Sequence, residues 1–215
     1  KQSRIDRNMS DRYPALTFHN MPVGISYARP RQHYPRDLRL DSPAVEGMTD
    51  LRHVTALTVE RTNTLAATRE RMRKLGVKML LVTDATAAVA GIVTLTDLNS
   101  ERPFKIAAKS GEKADELLVQ DIMTLRGRIE ILHLRDVIEA NVGQLLSSLR
   151  ESGRRHALVM QQGENGQPDE ICGIFSLTRL CALIGLAINP GDPMPVIERA
   201  LAKRLGPATA DDLAR

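Results

Sequence analysis

Tryptophan is absent from this 215-residue chain, aromatic residues make up only 3% of it, and there are two cysteines. Each shortage excludes something. Cys172 and Cys181 stand nine positions apart, a spacing that suits neither a redox pair nor a zinc site, so both read as inert buried thiols. The five histidines, His19, His33, His53, His133 and His156, form no HExxH pattern and no Cys/His cluster, which argues against a dedicated transition-metal site. No apolar run approaches the length of a membrane-spanning helix, and the basic start lacks the apolar core and small-residue cleavage site of a secretory signal. A cytoplasmic protein without a membrane partner is expected. Charge of one sign is also scarce: residues 1–45 hold eight basic and four acidic side chains, and residues 46–215 hold 22 of each. A neutral body with a mildly basic arm lacks the broad positive stripe of a duplex binder, and nucleic acid is not the expected partner.

What is present is an ordinary globular composition, 42% apolar and 26% charged. Four of the six aromatic residues, Tyr13, Phe18, Tyr27 and Tyr34, fall in the first 45 positions with five of the eleven prolines. Proline fixes φ and removes a donor, so this stretch reads as an extended arm whose rings pack on the same chain or on a neighbouring subunit.

Periodicity begins at Thr64. Leu65, Thr68, Met72 and Leu75 recur at helical spacing up to Gly76, with Thr62, Asn63 or Thr64 available as a cap. Residues 78–82 and 89–94 then read as strands around a turn at 83–88, and Thr94 opens a helix with Asp97 in its first turn. Residues 54–59 supply a first strand. A second copy follows: Asn141 caps a helix carrying Val142, Leu145, Leu146 and Leu149, residues 156–160 and 171–175 are strands, and Ser176 begins a helix. GIVTLTDL at 91–98 matches GIFSLTRL at 173–180, an internal repeat of two modules too small to bury their apolar faces alone. Between them residues 99–113, polar and carrying Pro103 and Gly111, read as a linker, with a short helix expected near Ala114. The tail offers a last helix after Pro195, with an apolar stripe of Val196, Ile197, Ala200, Leu201 and Leu205 that packs on its own module or on another subunit. The division expected is an arm at 1–45, modules at 46–110 and 111–189, and a helix and tail at 190–215.

The DIMT of 121–124, LGVKMLLV at 75–82, SGRRHALV at 152–159 and the two glycine-led repeats resemble a tandem CBS-domain protein, or Bateman module, over residues 46–186. That resemblance implies an α/β pair of CBS domains with pseudo-twofold symmetry, extended here by the N-terminal arm and C-terminal helix. It implies clefts that receive AMP, ADP, ATP or a related adenosine ligand, no catalytic residues, no required cofactor, a homodimer, and regulation of an unknown protein partner. Carried onto this sequence, the nucleotide-binding positions are Lys78, Met79, Thr94, Thr96 and Asp97, with Asp97 facing ribose and Lys78 phosphate. The second cleft holds Arg155, His156, Ser176 and Arg179. There Arg179 stands where the first repeat has Asp97, and an arginine has donors only, so it cannot accept ribose hydroxyls. That pocket takes phosphate groups or is closed by salt bridges. Bland alternatives stand beside each assignment. Thr94 and Asp97 are also ordinary helix-capping residues, Lys78, Arg154 and Arg155 ordinary solvated charges, and His156 an edge residue with a hydrogen bond. An oligomeric structural adaptor with degenerate clefts is the alternative function.

Overall fold

The computed structural model describes Pro35 and residues 37–163, 167–189 and 191–205, all within one compact unit. The aromatics at Tyr13, Phe18, Tyr27 and Tyr34 lie outside the described residues. In chain order the strands and helices are β1 (Thr49–Asp50), β2 (Thr58–Glu60), α1 (Leu65–Leu75), β3 (Met79–Thr83), β4 (Val89–Thr94), α2 (Leu95–Leu98), α3 (Arg102–Ser110), α4 (Val119–Ile122), β5 (Thr124–Leu125), β6 (Ile131–His133), α5 (Leu134–Glu139), α6 (Val142–Glu151), β7 (His156–Gln161), β8 (Glu170–Ser176), α7 (Leu177–Leu183) and α8 (Met194–Leu205).

Two four-stranded mixed sheets result, ordered β2-β3-β4-β5 and β1-β8-β7-β6. In each, a strand pairs in parallel with the next, across α1 in the first sheet and across α5 and α6 in the second, and that strand pairs antiparallel with its hairpin partner. The strands alternate as the period of two requires. On β3, Leu80 and Val82 enter the core under the first unit's helices, while Met79 and Leu81 face the other way. On β7, Ala157 and Val159 enter the second unit's core, and Leu158 joins Met79 and Leu81 in a third cluster that includes Ile92, Ile131 and Ile174. This cluster joins the two sheets.

The short outer strands are exchanged. β1, which precedes the first repeat, pairs with β8 of the second, and β5, which precedes the second repeat, pairs with β4 of the first. The leads match in detail. Ala44 N donates to Ala140 O and Val142 N to Ser42 O in one lead, while Val119 N donates to Asn63 O and Leu65 N to Leu117 O in the other. Isolated bridges join Pro43 to Asn141 and Thr64 to Leu118 at the caps of α6 and α1. The glycine that starts each repeated motif stands where the exchanged segment passes. Gly91 is paired with Leu125, and a Cβ there would collide with the Thr124 carbonyl; Gly173 is paired with Asp50, and a Cβ there would collide with the Met48 side chain.

Three expectations need correction. The first strand runs over Thr58–Glu60, not 54–59, because only at Thr58 does the chain reach the register in which it pairs with Leu81. The supposed linker contains α3: Pro103 lies in its first turn, where no amide partner is lost, and Gly111 ends it at φ 78°. The helix expected near Ala114 is a turn, and helical geometry begins at Val119, where Asp121 accepts from Leu118 N at 2.8 Å. As for the last helix, Ile197 and Leu201 are fully buried in the second unit's core, while Val196 is exposed.

Candidate functional site

Each repeat brings the start of its central strand beside the end of the next strand, where the chain turns into a helix. In the first, Met79 is paired with Thr94, and Leu95 N donates to Lys78 O at 2.8 Å. Thr94 is extended and caps α2, its hydroxyl accepting from Asp97 N at 3.2 Å. Asp97 replies through one oxygen, Oδ2, which accepts from Thr94 N at 2.8 Å and from the Thr94 hydroxyl at 2.7 Å. This is a full capping box. The other oxygen of the half-buried Asp97 has no hydrogen-bond partner among the described residues. Lys78 and Thr96 are exposed, and Lys78 forms no ion pair among the described residues. Met79 is buried in the cluster between the sheets.

At the second junction the backbone repeats while the chemistry changes. His156 is paired with Ser176, and Leu177 N donates to Arg155 O at 2.8 Å. Ser176 is again extended, yet its side chain does not cap α7. Arg179 is exposed. Burial, with the adjacent Arg155 charge adding to it, pushes His156 down to about 4, so it is neutral at pH 7. Arg154 donates to Glu130 at 2.6 Å, but its Nε is enclosed and has no acceptor among the described residues.

Arg155 donates through Nη2 to the backbone carbonyl of Asp192, ahead of α8. Asp192 closes a turn with Asn189: its carboxylate accepts from Asn189 N at 2.8 Å and from Asn189 Nδ2 at 3.3 Å, and its amide donates to Asn189 O at 3.0 Å. Neither residue was singled out from the sequence, although NPGD at 189–192 combines four turn-forming residue types.

Among the described residues no group of three or more His, Cys, Asp or Glu side chains could hold a metal ion, and no helix is long and apolar enough to cross a membrane. Cys172 and Cys181 are free and buried, and burial raises the thiol of Cys181 to about 11. A shallow groove lined by Leu186, Val196, Arg199, Ala200 and Lys203 contains none of the residues expected in either cleft.

No family model and no curated protein matches this chain. Solved structures do. An uncharacterized conserved protein from Pyrococcus horikoshii is similar at 20% identity over 72% of this chain and 100% of its own, with a TM-score of 0.49. A CBS-domain containing protein from Agrobacterium tumefaciens is similar at 22% identity over 62% of this chain and 88% of its own, with a TM-score of 0.45. A CBS-pair protein from Arabidopsis thaliana is similar at 19% identity over 66% and 92% of the two chains, with a TM-score of 0.45.

Proposed function

We propose that the chain is a non-enzymatic, ligand-sensing protein of the tandem CBS-domain type, its two units related by a pseudo-twofold axis, and that an adenosine nucleotide binds at the first strand-to-helix junction. The observation that carries this reading is the division of labour within Asp97. One oxygen closes the capping box and fixes the carboxylate, while the other has no hydrogen-bond partner among the described residues. A fixed carboxylate oxygen is a strong acceptor for sugar hydroxyls. Lys78, bound through its backbone to the same helix start, supplies an ammonium for phosphate. Thr94 and Thr96 offer hydroxyls, and Met79 an adaptable wall for the base. The adenosine class is what the resemblance of the repeated motifs to CBS domains implies.

The test is calorimetric titration of the purified protein with AMP, ADP, ATP and an adenosine dinucleotide. Asp97→Asn keeps an oxygen for the capping box and removes the charge. It is expected to weaken the preferred nucleotide by about 5-fold to 150-fold, the range for leaving a buried donor unmet. Arg179→Ala is expected to leave that affinity unchanged. Absence of binding by all four ligands, or wild-type affinity in Asp97→Asn, overturns the reading. The same proposal includes a homodimer, for which sedimentation equilibrium is expected to give twice the 23.8 kDa chain mass.

A further inference from the structure

Lys78 and Arg155 occupy the same place in the two repeats, each giving its carbonyl to the first amide of the following helix at 2.8 Å. Their side chains have different fates. The Lys78 ammonium is exposed, whereas the Arg155 guanidinium carries the Asp192 carbonyl. That acceptor is neutral, and the Asp192 carboxylate is turned to Asn189 instead. Arg155 forms no ion pair among the described residues, so its guanidinium donates to a neutral carbonyl and its charge is not neutralised there.

We propose that the turn closed by Asn189 and Asp192 is a built-in occupant of the second cleft. An anionic ligand group such as phosphate reaches Arg155 by displacing the Asp192 carbonyl, and its binding frees the start of α8. A charged phosphate oxygen makes a stronger bond to guanidinium than a carbonyl does, which gives the exchange its direction. The displaced turn stays close, because Ile197 and Leu201 hold α8 in the second unit's core. It therefore competes as a tethered ligand at high effective concentration, and the apparent affinity of this cleft is lowered by the fraction of time it is closed. The chain thus has one cleft with an open cation and one whose cation is held in reserve, coupled to the C-terminal helix. The inference rests on reading the second junction as a ligand cleft, but not on the Asp97 site being occupied.

Hydrogen exchange on the full chain, with pyrophosphate as probe, tests it. Arg155→Ala without probe is expected to raise exchange of the amides at 191–198 about tenfold or more, the loss of one charged hydrogen bond, while the amides of β7 keep their protection. In the wild type, saturating pyrophosphate is expected to raise exchange over the same stretch, and Asp97→Asn to leave that response intact. Asp192→Ala, which loosens the turn, is expected to tighten pyrophosphate binding severalfold, a gain lost in the double variant with Arg155→Ala. Unchanged exchange at 191–198 in Arg155→Ala, or a rise shared equally with β7, overturns the latch. Failure of Asp192→Ala to bind pyrophosphate overturns the anion cleft. Silence towards AMP with an intact pyrophosphate response overturns only the nucleotide reading.

Discussion

At the first strand-to-helix junction a carboxylate, Asp97, closes a capping box with Thr94; at the second, Arg179 stands in its place and Ser176 leaves α7 without a side-chain cap. The backbone beneath is the same in both, down to the 2.8 Å bond from the first helical amide to the residue before the strand. Apolar positions explain the persistence. Leu80 and Val82, like Ala157 and Val159, must face their own helices, and Leu81 and Leu158 must meet between the sheets. A substitution there leaves a cavity or a clash. The polar residues at the junction contribute less to the fold, so they can differ without changing it. The two halves therefore separate what builds the module from what gives each strand-to-helix junction its chemistry.

The largest difference expected between the halves lies at Met79 and His156, equivalent positions of which only one titrates. Burial lowers His156 to about 4 from its ordinary 6.5, so between those values the unfolded chain binds more protons than the folded one. The associated stability is fully present above about pH 6.5 and is lost as pH falls through about 4. Its upper bound is about 3 kcal/mol. Denaturant unfolding from pH 7 to pH 4 is expected to show this fall in the wild type, and His156→Met, which copies the first repeat, is expected to flatten the curve. An equal slope in both proteins would assign the acid sensitivity elsewhere.

The repeat, the strand pairs and the two helix starts, at one of residues 62–64 and at Asn141, are legible because they lie in or at the edge of long periodic segments. What was hidden had physical reasons. β1 and β5 are two residues each, too short to show any period. Their exchange is a long-range pairing that no local pattern contains, although Met48 and Thr49 do match the Met123 and Thr124 of the other lead. α3 has the sequence of a linker because Pro103 and Gly111, breakers in a helix interior, are both favourable at its ends. At the sites, Asp97 as a cap was anticipated as one alternative, since capping is local. The Arg155 contact with Asp192 spans 37 positions and depends on how α8 docks, which the apolar stripe alone left open between two surfaces.

Gly91 and Gly173 give the next comparison, because the exchanged segments pass them differently. An alanine at 91 meets the backbone carbonyl of Thr124, which moves only if β5 leaves the sheet; at 173 it meets the buried side chain of Met48, a flexible thioether. Gly91→Ala is expected to cost about 1 to 3 kcal/mol and Gly173→Ala less, by the ordinary range for overpacking. Equilibrium urea unfolding of the two variants measures the difference. Equal losses would mean that Met48 is as rigidly held as the backbone of β5.

The smallest effect concerns the caps themselves. Thr94 satisfies the Asp97 amide and is held in turn by the Asp97 carboxylate, so Thr94→Ala breaks two contacts at once: the hydroxyl can neither accept from the Asp97 amide nor donate to Oδ2, and only the bond from the backbone N–H of residue 94 to Oδ2 remains. Removing such a cap costs about 0.5 to 2 kcal/mol. Ser176 has the equivalent extended backbone and no cap bond to lose, so Ser176→Ala is expected to fall within about 0.5 kcal/mol of the wild type. Serine is as good a cap as threonine in general, so residue preference alone would give the two substitutions the same cost. The structure gives them different costs because the second junction has no carboxylate to lock the hydroxyl in place. Introducing one tests that cause directly. Arg179→Asp is expected to make Ser176→Ala as costly as Thr94→Ala in urea unfolding, and an unchanged Ser176→Ala cost in the Arg179→Asp background would show that the box depends on more than the residue three positions into the helix.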